Sequence, residues 1–265
     1  MLQQSQEQGP GFINVNGKQF IRDGKPYYFL GTNFWYGMNL GSSGQGGDRD
    51  RLLRELDHLK KIGVKNLRVM GASEGPDTEP WRMRPALQVA PGEYNEEVLD
   101  GLDFLLAEMG KRDMVAIMCM NNFWPWSGGM AQYVSWQDDS EIPSPPICGE
   151  GDWQTYQEYT ASFYSNENAV TDFFNHLRFT VLRENPYTGT LYRDDPTIMA
   201  WQLGNEPRGI NNREDFTQWI ENTAKYIKSM DSNHLVTIGS EGATAHPSSG
   251  NDFFADHQSS YIDYT

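Results

Sequence analysis

The segment Thr197-Ile-Met-Ala-Trp-Gln-Leu-Gly-Asn-Glu-Pro-Arg208 turns from apolar to polar within a few residues. A nearly continuous apolar run reads as a parallel strand buried on both faces. Pro207 cannot donate to a ladder and biases Glu206 away from helical backbone, so the strand ends there with a carboxylate at its tip. Polar residues recur at comparable places: Asn33, Arg68 within Asn66-Leu-Arg-Val-Met70, Asn121 and Asn122, Asn205 beside Glu206, and Glu241. Taken singly each reads as a cap or turn. In succession at strand ends they point to one mouth, where barrel enzymes keep their chemistry. What such a mouth offers is carboxylate chemistry. Arg68 interrupts a buried strand, so its guanidinium calls for an anionic partner. That partner is either an ion pair in the wall or a catalytic carboxylate held ionised and aligned.

Other chemistries find no support in the sequence. The histidines, at 58, 176, 234, 246 and 257, form no His-x-His or His-Glu-x-x-His set, and no Gly-x-Ser-x-Gly elbow or Walker loop occurs. No metal or cofactor is expected. Six tryptophans, Trp35, Trp81, Trp124, Trp126, Trp136 and Trp153, fall in segments that follow strands, whereas Trp201 and Trp219 lie inside core elements. Indole faces outside the core can stack on the C–H faces of sugar rings. They can equally pack loops onto the body of the protein.

The elements that must position these residues alternate along the chain. Phe12 to Tyr28, with turn signals at Asn16-Gly17 and Asp23-Gly24, reads as an antiparallel hairpin plugging one end of a barrel. Strands are expected at 29–33, 64–70, 114–120, 197–204 and 234–240. Helices are expected at 48–62, 95–112, 168–183 and 213–230, the first with Leu52, Leu53, Leu56, Leu59 and Ile62 on one face. More than forty residues after the third strand carry no clear pattern, and their tryptophans argue for a functional loop. Strand–helix alternation implies right-handed βαβ units in a parallel sheet.

The fold class expected is therefore α/β, of the (β/α)8 barrel type. At roughly 45 residues per unit the chain holds five units, with 261–265 as the start of a sixth strand, so the barrel is expected to be incomplete at its C-terminus. Residues 1–11 read as a disordered tail and 12–265 as the barrel domain. No Gly-rich phosphate loop supports a doubly wound alternative.

Composition narrows the partners. With 21 basic and 36 acidic residues, the net charge of −15 disfavours nucleic acid and anionic membranes. A neutral or cationic ligand fits better. The 34 aromatic residues supply a large core. Two cysteines, Cys119 and Cys148, allow at most one bridge. The polar start shows neither a signal peptide nor a transmembrane span.

With these residues in hand, the chain resembles glycoside hydrolase family 5, and within it the endo-β-1,4-mannanases. The matching pieces are Gly31-Thr-Asn-Phe-Trp-Tyr36, Asn66 to Met70, Asn121-Asn122 followed by Gly128-Gly129, Trp201 to Arg208, and His234 to Gly242. The resemblance implies a retaining mechanism on β-mannan, with Glu206 as acid/base, Asn205 on the sugar 2-hydroxyl and Arg68 supporting the nucleophile. Trp35, Asn122, Trp124, Trp126, Arg208 and Glu241 are the expected sugar contacts, Arg208 on the leaving-group side. The nucleophilic Glu would fall beyond Thr265, leaving this chain inactive or nearly so, and the resemblance implies an extracellular or periplasmic location. A β-glucanase of the same family, or a sugar-binding protein without catalysis, are the alternatives.

Overall fold

A computed structural model describes residues 11–79, 81–145, 150–243 and 246–265. Five strands form the central sheet: β1 (Leu30–Asn33), β2 (Val64–Met70), β3 (Val115–Cys119), β4 (Ile198–Gln202) and β5 (Leu235–Thr237). They pair side by side in chain order, and every pairing is parallel. A doubly wound sheet would reverse direction at a switch point; this one does not, which is the succession of a barrel wall.

Among the described residues, six longer helices accompany the sheet. They are α1 (Arg49–Lys61), α2 (Glu96–Gly110), α3 (Gly129–Asp138), α4 (Trp153–Ala161), α5 (Glu167–Val181) and α6 (Arg213–Met230). Starts are set by side chains that satisfy orphan N–H groups: Asp48 accepts from Arg51 N–H, and Asn95 from Glu97 and Val98 N–H. The apolar stripe of α6 buries Phe216, Trp219, Ile220, Ala224 and Ile227 at helical spacing. These join Trp201, Phe173 and the leucines of α2 in one large core.

Three expectations need correcting. The patternless stretch after β3, expected to be one long loop, contains two helices, α3 and α4, with Trp136 in α3 packed edge-on against Tyr133. Ile62 is exposed, because α1 ends at Lys61 and turns away. Residues 261–265 run beside β5 without forming a strand. There the Asp263 carboxylate accepts from Val236 N–H at 2.6 Å, taking a donor that a backbone ladder would have used. A single backbone bond, Asp263 N–H to Val236 O, remains.

At the strand starts, the expected hairpin is a three-stranded antiparallel meander of 13–16, 19–22 and 25–26. Its second turn, Asp23-Gly24, has both residues at positive φ, the geometry of a two-residue type I′ link. Ile13 and Phe20 pack from it onto Val115, Met199 and Leu235 at the beginnings of β3, β4 and β5. The tail expected over 1–11 lies outside the described residues except Gly11, whose N–H and C=O are bonded by Asp23 and Arg22. Cys119 is a buried free thiol, and Cys148 lies outside the described residues. Among the described residues no helix is long and apolar enough to cross a membrane.

Candidate active site

The polar strand tips meet at the C-terminal end of the sheet. Arg68, inside β2, donates from Nε to Gln202 Oε1 at 2.7 Å and from Nη2 to Asn205 Oδ1 at 2.8 Å. A longer bond of 3.4 Å reaches Asn33 Oδ1. The expected anionic partner is absent: among the described residues no carboxylate forms an ion pair with Arg68. Neutral amide oxygens take its N–H groups instead. This suffices physically, because the guanidinium is only half-buried and keeps part of its hydration.

Asn205 is the hub. Its Nδ2 donates to Asn122 Oδ1 at 3.0 Å, its main-chain N–H bonds Asn121 O, and its carbonyl accepts from Phe123 N–H. Asn122 is fully enclosed, with Nδ2 on Ser127 Oγ and Oδ1 also accepting from Trp124 N–H. Expected among the sugar contacts, it has no surface to offer a polymer. It braces the site from beneath.

Glu206 follows at φ 52°, a left-handed backbone that non-glycine residues seldom adopt and that recurs at functional sites. Its N–H is fixed to Gly239 O at 2.9 Å beyond β5, and its Oε2 accepts the Trp124 indole N–H at 2.6 Å. An indole can only donate, so the carboxylate is the acceptor in this contact. Arg208 lies over the same ring, 4.8 Å from its centroid. It also grips Glu241 with two parallel bonds of 2.7 and 2.6 Å and Gln157 at 2.8 Å.

The tryptophans divide. Trp124 stands against Glu206 and meets Trp153 edge-on. Trp35, nearly half exposed, meets Trp126 edge-on at 5.8 Å, and with Trp81, Arg82 and Met83 they line an open cleft of about 380 Å³. Aromatic faces around a cleft can take the apolar side of a sugar ring.

Two residues here escaped the sequence reading. Gln202 is a polar side chain closing the apolar run of β4, the same signal that exposed Arg68. Glu74, four residues past β2, looked like an ordinary turn residue next to Gly75-Pro76. It is only 2% exposed.

Comparison with known proteins sets this site in context. The model of the GH family 5 beta-mannosidase-like family matches residues 10–265. A mannan endo-1,4-beta-mannosidase of Solanum lycopersicum is 33% identical over 247 residues, covering 91% of this chain and 54% of that protein. The chain thus spans about half the length of this curated relative. The crystal structure of a family 5 mannosidase from Rhizomucor miehei superposes with TM-score 0.87 at 38% identity, over 96% of this chain and 60% of that one. An endo-1,4-beta-mannanase of the same organism gives 0.75 at 28% identity, over 95% and 70%.

Proposed function

Because this chain belongs to the glycoside hydrolase family 5 beta-mannosidase-like family, we propose that it carries the acid/base side of a site that hydrolyses internal β-1,4 linkages of mannan, glucomannan or galactomannan with retention. Glu206 protonates the leaving sugar oxygen while a second carboxylate attacks the anomeric carbon. Glu206 then takes a proton from the water that releases the glycosyl-enzyme. Asn205 bonds the 2-hydroxyl, held in place by Arg68 and Asn122. Arg68 in turn faces the nucleophile. Trp124 and Arg208 receive the leaving-group sugar, while Trp35 and Trp126 offer a platform further along the cleft. The substrate is a neutral polymer, which fits the acidic surface and a location outside the cell.

The observation that carries this reading is the Glu206 carboxylate, fixed on a strained strand tip by the Trp124 indole and flanked by the Arg68–Asn205–Asn122 network. Retention requires the partner carboxylate at about 5–5.5 Å. Glu241 has both oxygens on Arg208, and Glu74 is enclosed, so neither is placed to attack. We therefore take the nucleophile from residues outside this sequence, and the 265-residue chain alone to bind mannan oligosaccharides with little or no turnover.

The test is reducing-sugar release from galactomannan by protein expressed from the complete gene, beside its Glu206→Gln variant and beside the 265-residue chain. A variant as active as the wild type sinks the assignment. Release by the 265-residue chain, abolished by Glu206→Gln, would show instead that the nucleophile lies within it. A second reading, release of single terminal mannose units, draws on the fungal mannosidase whose variant is seen in complex with the short ligand mannosyl-fructose. Mannohexaose separates them: internal cleavage gives short oligosaccharides, and exo action gives mannose from the first time point.

A further inference from the structure

Glu74 is a carboxylate sealed from solvent, and burial pushes it up to about 7, against the pull of the Gly129 N–H and of Arg82. Carboxylates are seldom buried so completely unless their oxygens are engaged. Here both the main chain and the side chain grip a single turn. Glu74 N–H donates to Ser127 O at 2.8 Å, and Oε2 accepts from Gly129 N–H at 2.7 Å. The turn fits tightly: a Cβ on Gly128, at φ 88°, would lie 2.3 Å from the Glu74 carbonyl oxygen.

From this turn a short chain of bonds leads to the mouth. Ser127 Oγ accepts from Asn122 at 2.9 Å, Asn122 Oδ1 accepts from Trp124 N–H at 3.1 Å, and the Trp124 indole donates to Glu206 at 2.6 Å. We propose that Glu74 is a positioning residue for Glu206: its carboxylate clamps the turn at 125–129 and so holds the Trp124 indole against the Glu206 carboxylate. The inference rests on the reading of Glu206 as acid/base. An ionised carboxylate accepts an N–H bond more strongly than a protonated one, so the clamp tightens as Glu74 loses its proton.

Several charged or titratable groups face Glu74. Arg82 approaches from its own loop, Tyr133 from α3, Tyr94 from the segment before α2, and Cys119 from the tip of β3. Burial raises the two tyrosines and the thiol, keeping them protonated at neutral pH. His176, stacked on Tyr94, is pushed by burial down to about 4 and is neutral there.

The experiment follows the Trp124 indole proton–nitrogen resonance of the 265-residue chain against pH, with Trp124→Phe supplying its assignment. In the wild type it is expected to move downfield as pH rises through about 7. Glu74→Gln, which keeps the size and an acceptor oxygen, is expected to flatten that transition. Glu206→Gln is expected to displace the signal yet keep the transition. A transition that survives Glu74→Gln overturns the proposal; if it also vanishes in Glu206→Gln, the Trp124–Glu206 contact stands and only the role of Glu74 is lost. A signal unmoved by Glu206→Gln at every pH removes the contact itself. Should Glu74→Gln disturb the core indoles of Trp201 and Trp219, Glu74→Asp replaces it. It draws the charge back by one carbon and is expected to shift Trp124 while leaving those two in place. A Trp124 signal unchanged in Glu74→Asp overturns the proposal as well.

Discussion

The same strands end in opposite chemistry. At their starts, Ile13, Val115, Met199 and Leu235 form an apolar cluster under the meander. The polar group set beside it is self-contained: Asp231 takes the Trp201 indole and His234 Nδ1, each at 2.6 Å. At their tips, Arg68, Gln202, Asn205 and Asn122 form an open-ended amide network that leads to a half-buried carboxylate. One end is closed on itself and supplies stability, while the other spends stability on a left-handed Glu206 and on polar groups kept near solvent. Substitutions at the starts should therefore register in unfolding and those at the tips in turnover.

Glu206→Gln tests this most severely. In protein from the complete gene it is expected to lower kcat by about 10²- to 10⁴-fold, the usual worth of a general acid/base, with an unchanged thermal midpoint by calorimetry. A large drop in the midpoint would erase the distinction between the ends. Ile13→Ala is the mirror experiment: removing a side chain 2% exposed should cost about 2–5 kcal/mol in urea unfolding. Activity per folded molecule should stay as it was. Arg68→Met tests the boundary between the regions. Losing its charge-assisted bonds to Gln202 and Asn205 is worth about 1.5–3 kcal/mol, and it should appear mainly as reduced kcat; a purely stability effect would assign Arg68 to the wall.

The smallest effect concerns acid. Burial works to raise Asp231, but the bonds from His234 and Trp201 prevail and hold it below its ordinary 3.8. A carboxyl lowered by folding contributes stability that is complete above 3.8 and fades as pH falls below it toward the folded value. Acid unfolding of the wild type should steepen in that window and do so less in Asp231→Asn. Equal slopes would show that Asp231 does not control it.

Much of this contrast was legible in the sequence where periodicity is strong. β2 at Val64–Met70 and α6 at Arg213–Met230 fall on the residues expected, and Asp48 and Asn95 cap where their types suggest. α3 was invisible because it has no polar face to alternate: Gly129 to Val134 are all buried. Among site residues, the tips that break an apolar run stood out, so Asn205, Glu206 and Arg68 could be read directly. Glu74 could not. Its enclosure comes from a turn more than fifty residues away, and no local pattern records that. Asn122 was read as a tip residue, but its burial depends on Ser127 folding back over it.

Strand order that copies chain order also bears on how the molecule is made. Each ladder joins a strand to the one just before it in the chain, so no pairing has to wait for a distant partner. The entropy of loop closure rises only slowly with length and is met here one unit at a time. A chain leaving the ribosome can lay β2 on β1, then β3 on β2, as each emerges. The Arg68–Asn205 bond spans β2 and β4 across β3, so the polar mouth is assembled only once the fourth strand has docked, after the first three have already paired.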